Sequence, residues 1–181
     1  IVEKLDPITK EVKQYSCKIL GSNEQVNVRP MNIVMHQDQY DRIWMGSNDG
    51  VYYFDTVHQS FIKFSVYGDC ASLNNSVVYH FYEDVNKNLL WVASSSGIYC
   101  YHYAQSNFIE HYHSNAKEPY RLPYYFILYI HKDKDADNLF WLGTKGGGLI
   151  KWNPFEEEKS VVAHYTVASG LSDNVIYAVL E

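Results

Sequence analysis

The stretch of sequence that decides the fold is LWVASSSGIYCY, residues 90–101. A short apolar run that contains Trp91 is followed by three serines, a glycine and a second apolar run. Short runs rich in Val, Ile, Tyr and Trp, separated by Ser and Gly, are typical of two β-strands joined by a tight turn. The stretch therefore predicts a β-hairpin in which Gly97 supplies the positive φ of the turn.

This hairpin is one copy of an internal repeat. The pattern occurs upstream as IWMGSNDGVYYFD, residues 43–55, and downstream as FWLGTKGGGLIKWN, residues 140–153. Its tryptophans, Trp44, Trp91 and Trp141, lie 47 and 50 residues apart. Self-similarity at such a period is the mark of an architecture built from stacked units.

A second element precedes each hairpin. LNNSVVYHFYED, residues 73–84, is similar to LSDNVIYAVLE, residues 171–181, and residues 27–38 and 122–133 match more loosely. The leucines that open three of these elements recur at intervals of 49 residues: Leu73, Leu122 and Leu171. Each repeat unit is therefore longer than one hairpin.

Each unit contains four short apolar segments separated by turn residues. In the middle unit the segments are Val77–Tyr82, Leu89–Ala93, Ile98–Tyr101 and Phe108–Tyr112. Four-stranded antiparallel meanders repeated at this period are typical of the blades of a β-propeller. We therefore predict an all-β fold, a β-propeller fragment with four-stranded antiparallel blades and a repeat of about 49 residues.

Stacking between neighbouring blades explains why the first strand of a unit is apolar on both faces. Strict alternation would place Phe81 and Val78 on opposite faces of this strand. The tryptophan of each second strand is predicted to pack between adjacent blades with its indole N–H hydrogen bonded.

The repeat also predicts boundaries along the chain. Residues 1–26 are assigned to the end of one blade, 27–72, 73–121 and 122–170 to three fuller blades, and 171–181 to the first strand of the next. Since these units are fewer than the blades of a closed propeller, we expect the sequence to be an excerpt of a longer polypeptide.

Composition excludes several classes of protein. The formal net charge is −6 and the sequence has no basic run, which disfavours a nucleic-acid partner. No apolar run approaches the roughly 20 residues of a membrane-spanning helix. Cys17, Cys70 and Cys100 are far apart and form no CxxC pair, so we predict buried thiols rather than a zinc or redox motif.

The motifs resemble the two-component regulator propeller repeat. The most specific stretches are GLSDNVIYAVLE, residues 170–181, and residues 138–148, which contain the Leu-Trp-x-Gly-Thr-like sequence FWLGT and end on Gly148. Ala93 stands where the family favours glycine, and Pro123 interrupts the usual polar turn. The resemblance covers nearly the whole chain.

The resemblance implies a function. Repeats of this family build the periplasmic sensor region of hybrid two-component systems, in which a histidine kinase and a response regulator share one chain. It implies a periplasmic part of an inner-membrane protein that binds an oligosaccharide and controls polysaccharide-utilisation genes. It also implies further propeller blades and a kinase in the same chain, and a homodimer.

Meander geometry predicts where a ligand binds. Loops between second and third strands share one edge of the blades with the links between units, and we call this edge the upper edge. It comprises residues 29–32, 47–49, 72–75, 94–96, 121–125, 145–147 and 172–174. Sugars are bound by aromatic rings and planar polar groups, so the predicted ligand-binding residues are Asn48, Asn74, Asn75, Arg121, Tyr124 and Tyr125.

Motifs for a metal, a cofactor or catalysis are weaker. Asp133-Lys-Asp135-Ala-Asp137 begins like a calcium loop, but Asn138 replaces the glycine and Thr144 the bidentate glutamate. His111-Tyr-His113 places two imidazoles on one strand face without an evident third ligand. We predict no metal, no cofactor and no catalytic residue, and hence no enzyme activity for this segment.

Two other functions remain open. A protein-interaction propeller should expose a contiguous apolar or charged patch. A propeller glycosidase needs two carboxylates about 5–10 Å apart. Asp49 and Asp173 are the acids of the upper edge, and they belong to units that are not adjacent.

Overall fold

The computed structural model describes residues 2–19 and 33–180, and these residues are mostly in short β-strands. In chain order the strands are β1 Val2–Leu5, β2 Val12–Tyr15, β3 Cys17–Ile19, β4 Val34–Gln37, β5 Ile43–Ser47, β6 Gly50–Asp55, β7 Ser60–Lys63, β8 Val78–Asp84, β9 Leu89–Ser94, β10 Gly97–His102, β11 Asn107–Tyr112, β12 Ile127–Lys132, β13 Phe140–Thr144, β14 Leu149–Trp152 and β15 Val161–Tyr165.

The strands form three meander sheets and one hairpin. Sheet I has the order β3-β7-β6-β5-β4, sheet II β11-β10-β9-β8 and sheet III β12-β13-β14-β15, while β1 pairs with β2. All neighbours are antiparallel except β3, which runs parallel to β7. The prediction of an all-β fold with four-stranded antiparallel sheets is confirmed by this topology.

The helices are short 3₁₀ turns in the connections. They span Gly68–Asn75, Tyr103–Gln105 and Val167–Ser169. Within the described part of the chain, no helix is long and apolar enough to cross a membrane.

Sheet II is buried on both faces because its strands alternate between two cores. Leu90 and Val92 belong to a core shared with Trp44 of sheet I. Leu89 and Trp91 point the other way, into a core shared with sheet III. A third core lies on the far face of sheet I, where Val2 and Tyr15 of the β1–β2 hairpin pack against it; its buried members are Cys17, Met45, Tyr52 and Phe61.

The three second-to-third-strand hairpins are built alike. A hydroxyl at the end of the second strand donates to the carbonyl of the glycine that follows the turn: Ser47 to Gly50 over 3.2 Å, Ser94 to Gly97 over 3.0 Å, and Thr144 to Gly148 over 2.8 Å. These glycines have φ values of 108°, 127° and 82°. The predicted positive φ at each turn is confirmed.

Replacing Gly97 with alanine should therefore destabilise the fold strongly. A Cβ at this position would collide with the backbone carbonyl oxygen of Tyr112, and φ would remain strained. Strain and overpacking together should cost about 3 kcal/mol or more. Gly170 is the matched control, because its φ is 107° and a Cβ there meets nothing within 4 Å. Urea unfolding should show a loss of only about 1 kcal/mol for Gly170→Ala, and equal losses would refute the role of the clash.

Two details of the sequence analysis are wrong. A register shift between Val78 and His80 inserts an extra residue in β8, so Val78 and Phe81 share one core instead of lying on opposite faces. The indole N–H of Trp91 is buried without a hydrogen-bond partner, although the predicted bond is present at Trp44, which donates to Asp38. Trp91 is therefore buried as predicted, but it lacks the predicted hydrogen bond.

The first strand predicted for residues 171–181 is not formed as a strand in its described part. Val175 forms one antiparallel bridge with Lys145, and no strand is formed between residues 171 and 180. Its assignment to a further blade remains a prediction, as do the other unit boundaries. Residues 20–32, which include the end of the first predicted unit and residues 29–32 of the upper edge, lie outside the described residues.

Candidate functional site

A cavity of about 500 Å³ opens at the upper edge of sheet II. It lies where the β9–β10 turn, the end of β11 and the two links that flank sheet II come together. Its lining residues are Ser72, Ser95, Ser96, His111, His113, Ser114, Asn115 and Tyr125. The lining therefore consists of hydroxyl, amide, imidazole and phenol groups and contains no carboxylate.

One wall of the cavity is a stack of aromatic rings. Tyr99 and His111 stack with centroids 4.0 Å apart and planes 10° apart. His113 continues the stack at 4.3 Å from His111. The alternation of β11 brings both histidines to one face, and the buried ring of Tyr99 supports them from β10.

Backbone carbonyls fix the orientation of His111. Its Nε2 lies 2.9 Å from the Ser96 oxygen and its Nδ1 3.2 Å from the Asp69 oxygen. Burial lowers the pKa of His111, and the neighbouring His113 acts in the same direction, while the carbonyl contacts oppose them. A neutral imidazole donates through one nitrogen only, so both contacts are hydrogen bonds only when the ring is protonated.

The floor beneath the stack is a network of hydroxyl groups. The Tyr99 hydroxyl lies 2.6 Å from Ser72 Oγ and 2.7 Å from Ser96 Oγ, and Ser76 and Ser96 are also hydrogen bonded. Burial raises the pKa of Tyr99, although the serine hydroxyls partly offset this. The phenol therefore stays protonated, and the network holds the β9–β10 turn in place.

Tyr125 presents an exposed ring at the mouth of the cavity. The side chain is 46% exposed, and it stacks on Tyr124 with centroids 5.3 Å apart and planes 19° apart. Tyr124 in turn donates to the Lys145 carbonyl over 3.1 Å and lies against Gly147, where a Cβ would clash with its ring. Tyr124 thus supports the exposed ring of Tyr125 from one side.

The structure brings only part of the predicted ligand-binding set to this cavity. Tyr125 lines it and Tyr124 supports Tyr125, whereas Asn74 binds the Val66 backbone through both its oxygen, at 2.9 Å, and its nitrogen, at 2.7 Å. Asn75 and Arg121 are exposed, and Asn48 is partly buried in the β5–β6 turn; none of the three is among the lining residues. The ligand-binding role of all six remains a prediction.

Seven of the eight lining residues are not in the predicted ligand-binding set. Ser72, Ser95 and Ser96 belong to the predicted upper edge, whereas His111, His113, Ser114 and Asn115 lie outside it, and the two histidines were considered only as metal ligands. Their position at the end of a fourth strand, directly before a link between units, was the available signal, because such links belong to the upper edge.

A second cavity, of about 400 Å³, lies at the opposite edge of sheets I and II. Arg42 borders it, with its guanidinium 4.9 Å from the ring centroid of Tyr103 and its Nε 2.9 Å from Asp38 Oδ2. The rings of Tyr40, Trp44 and Tyr101 also surround this cation. Because the guanidinium is already paired and stacked, it joins two sheets rather than offering a free charge to a ligand.

The acids of the upper edge are likewise engaged in local contacts. Asp49 accepts hydrogen bonds from Ser47 over 2.6 Å and Tyr52 over 3.0 Å and pairs with Lys63 at 3.3 Å. Asp173 accepts from the Val175 amide over 2.8 Å. Neither carboxylate is among the residues that line the cavity.

The aspartates of the calcium-like motif form hydrogen bonds and ion pairs with neighbouring side chains. Asp133 accepts from Trp141 over 3.1 Å and pairs with Lys151 at 3.0 Å, and Asp137 pairs with Lys132. The three cysteines are free and buried, which confirms the prediction of buried thiols. Among the described residues, one other group with metal-binding chemistry comes together, namely Cys100, His102 and Glu110.

Comparisons with known proteins identify the fold. No protein-family model matches the sequence, and no curated protein matches it. Chains of solved structures do match, 23 in all. The extracellular domain of a hybrid two-component system protein from B. thetaiotaomicron is 22% identical with a TM-score of 0.64, over 84% of this chain and 20% of that one.

Two further structures give the same result. The extracellular domain of a second hybrid two-component system protein from B. thetaiotaomicron has a TM-score of 0.56 and 18% identity, over 71% of this chain and 18% of that one. PorZ, a surface component of the type-IX secretion system of Porphyromonas gingivalis, has a TM-score of 0.61 and 18% identity, over 96% of this chain and 25% of that one.

The chain thus has the fold found in the extracellular domains of hybrid two-component sensors, and it spans about a fifth of the length of the first two structures. The resemblance inferred from the repeat motifs is confirmed at the level of the fold.

Proposed function

We propose that sheets I, II and III are consecutive blades of a β-propeller with a repeat of about 49 residues. First strands of neighbouring sheets contact each other, β4 with β8 and β8 with β12, as they do around the axis of a propeller. Apolar cores fill the spaces between the sheets.

A recurring contact supports extension of this arrangement beyond sheet III. A Cβ at Gly46 in sheet I would collide with Val78 of the next unit, and a Cβ at Gly143 in sheet III would collide with Ile176. Val78 and Ile176 each follow the opening leucine of their unit by five residues. This shared contact supports the proposal that residues 171–180 correspond to a first strand and that the parent protein has a further blade.

We propose that the module is the extracytoplasmic, ligand-sensing part of a hybrid two-component sensor, and that its ligand is an oligosaccharide. The observation that carries this proposal is the cavity at the upper edge, lined by neutral polar groups beside the exposed ring of Tyr125. Sugar hydroxyls pair with such groups, and the C–H face of a pyranose packs on an aromatic ring.

The remaining features of the proposal concern the parent protein. Further blades, a membrane anchor, a histidine kinase and a second copy in a dimer would convert binding into control of polysaccharide-utilisation genes. A ligand changes kinase output only if it prefers one of two arrangements of the receptor. Phosphorylation of the full-length protein with and without the binding glycan would test this step.

Tyr125→Ala should weaken oligosaccharide binding about tenfold or more, roughly 1.4 kcal/mol, because it removes the stacking platform. Calorimetry with a panel of defined glycan fragments would first identify a binder and then compare the variants. Tyr67→Ala is the control, since Tyr67 is 81% exposed and is not among the lining residues. Equal weakening by both changes, or none by Tyr125→Ala, would contradict this location.

A protein-interaction module is the second candidate. An apolar cleft between the β1–β2 hairpin and sheet I, bordered by Tyr15, Met35, Ile43 and Phe54, is the surface that favours it. In the propeller proposal the hairpin belongs to the preceding blade, which would cover this cleft. Calorimetry that finds no binder in the glycan panel would favour protein interaction, whereas release of sugar during incubation would indicate a glycosidase.

A further inference from the structure

We propose that Cys100, His102 and Glu110 bind a zinc ion or a similar divalent transition-metal ion. The thiol sulfur, an imidazole nitrogen and a carboxylate oxygen all lie within 4.8 Å of one another. Atoms that ligate one tetrahedral zinc ion lie roughly 3–4 Å apart, so small side-chain rotations bring the three groups to this distance. Thiolate, imidazole and carboxylate are the ligands that zinc uses in proteins.

The antiparallel pair β10–β11 places the three groups on one face of sheet II. Cys100 and His102 are two residues apart on β10, and Glu110 is directly opposite Cys100 on β11. The register of the pair shifts just after this position, between Cys100 and Tyr101. β-Bulges of this kind change the direction of side chains and are common beside functional sites.

Two contacts indicate that the ligand atoms are available. His102 Nε2 is buried without a hydrogen-bond partner and lies 3.3 Å from Glu110 Oε1, so the pair is close but poorly aligned. The Tyr112 hydroxyl lies 3.0 Å from the other carboxylate oxygen, Glu110 Oε2, and 3.1 Å from the Pro154 carbonyl oxygen, and its one proton serves these two acceptors. The bond to Glu110 orients Oε1 toward His102, as outer hydrogen bonds orient the ligands of known metal sites.

Charge balance favours a divalent cation at this position. One thiolate and one carboxylate neutralise a 2+ ion, and a neutral site is less costly in a buried environment than an isolated charge. On binding, the S–H proton passes to solvent as the sulfur–metal bond forms.

The repeat itself does not require these residues. Cys100 pairs with Trp91 across the sheet, and the residues that pair with the equivalent tryptophans are Tyr53 in sheet I and Lys151 in sheet III. Position 102 corresponds to Asp55 and Asn153 in those units. The ligand set is therefore specific to sheet II, although the Cys100 side chain also belongs to the core between sheets II and III.

Two of the three proposed ligands reach the surface. The side chains of His102 and Glu110 are each 26% exposed, and Glu110 borders a cavity of about 330 Å³. Three protein ligands plus one water is the arrangement of a zinc site with an open position. None of the three ligands lines the proposed sugar cavity, although His111 and His113 border both cavities, so the variants of the ligands test the metal site separately.

Cobalt(II) is the probe for the test, because it replaces zinc and reports its ligands by absorption. Titration of the metal-free 181-residue chain should show one equivalent of bound cobalt, visible bands of tetrahedral geometry and a thiolate-to-cobalt charge-transfer band in the near ultraviolet. One equivalent of zinc should displace it and should raise the midpoint of thermal unfolding. Absence of stoichiometric cobalt binding would overturn the proposal.

Two variants and one matched control assign the ligands. Cys100→Ser should abolish the charge-transfer band, and Glu110→Gln, which retains an acceptor for Tyr112, should weaken cobalt binding at least tenfold. Cys70→Ser is the control, because Cys70 is also buried but lies in the core between sheets I and II. Loss of the band in Cys70→Ser, or its retention in Cys100→Ser, would refute the assignment. If Cys100→Ser does not fold, the charge-transfer band of the wild-type protein still tests thiolate ligation, and Glu110→Gln still tests the carboxylate ligand.

Discussion

Trp91→Ala is expected to lower the free energy of unfolding by about 3–5 kcal/mol, because it removes a large, fully buried side chain. The indole lies at the centre of an aromatic cluster between sheets II and III, with centroid distances of 5.1 Å to Trp152, 6.1 Å to Tyr112 and 6.3 Å to Phe140. Truncation leaves a cavity that these rings cannot fill without losing their edge-to-face packing.

Urea unfolding followed by circular dichroism would measure this loss. Trp141→Ala is the comparison, since Trp141 occupies the equivalent place in sheet III but is only partly buried. We expect a smaller loss there, about 1–3 kcal/mol. A loss at Trp91 no larger than that at Trp141 would contradict the view that burial between two sheets sets the energy.

A milder pair of variants separates packing from hydrogen bonding. Trp44→Phe removes an N–H that Asp38 accepts at 2.8 Å, whereas Trp91→Phe removes an N–H without a partner. Leaving a buried acceptor with one donor fewer costs about 1–3 kcal/mol. Trp44→Phe should therefore be the more damaging by about that amount, and the reverse order would argue against the role assigned to Asp38.

The environment of these tryptophans could be predicted from the sequence only in part. The repeat of Trp44, Trp91 and Trp141 was enough to predict three similar sheets, because apolar periodicity and turn glycines are local properties of the chain. Whether an indole N–H has an acceptor depends on the turn between the first and second strands. This turn differs in length from unit to unit, and the apolar periodicity does not predict its conformation.

The extra residue in β8 illustrates the same limit. Strict alternation assigns Val78 and Phe81 to opposite faces, yet the bulge brings both into one core. One inserted residue moves every later side chain of the strand to the opposite face of the sheet, and the composition of the strand does not predict where the insertion lies. For the candidate site, the sequence predicted the correct edge of the sheets but not most of the lining residues. Tyr125 lies in a predicted loop of that edge, whereas the contribution of His111 depends on how β11 ends beside that loop.

Asp38→Asn is expected to lower the free energy of unfolding at pH 7 by about 2–4 kcal/mol, since it breaks a buried ion pair and its hydrogen bonds. The Asp38 side chain is fully buried, and its Oδ2 accepts from Arg42 Nε over 2.9 Å and from Trp44 Nε1 over 2.8 Å. An asparagine that keeps the Oδ1 contacts with the Tyr40 and Arg42 amides turns its NH₂ toward these two donors.

The same contacts make the stability of the native protein depend on acid. Burial raises the pKa of Asp38, but the hydrogen bonds from Trp44 and the Tyr40 and Arg42 amides, with the charge of Arg42, outweigh it and the net pKa is lowered. The unfolded chain, with an aspartate pKa of about 3.9, therefore takes up the proton first as the pH falls. The stabilisation is complete above that pH and declines as the pH falls through the lower pKa of the folded state.

Unfolding of wild type and Asp38→Asn at pH 7 and at pH 3 would measure both effects. The difference between the two proteins should be largest at pH 7 and smaller at pH 3, because at pH 3 the unfolded wild-type chain binds a proton at Asp38 that the unfolded variant cannot bind, and this stabilises the unfolded state of the wild type alone. Asp41→Asn is the control: Asp41 is exposed, three residues away and in the left-handed conformation that asparagine tolerates, so its effect should stay within about 0.5 kcal/mol. If the difference is the same at both pH values, the carboxylate of Asp38 does not carry the acid sensitivity. The candidates are then the other aspartates with a lowered pKa, namely Asp133, whose pKa is lowered chiefly by its hydrogen bond with Lys151, Asp55 and Asp6.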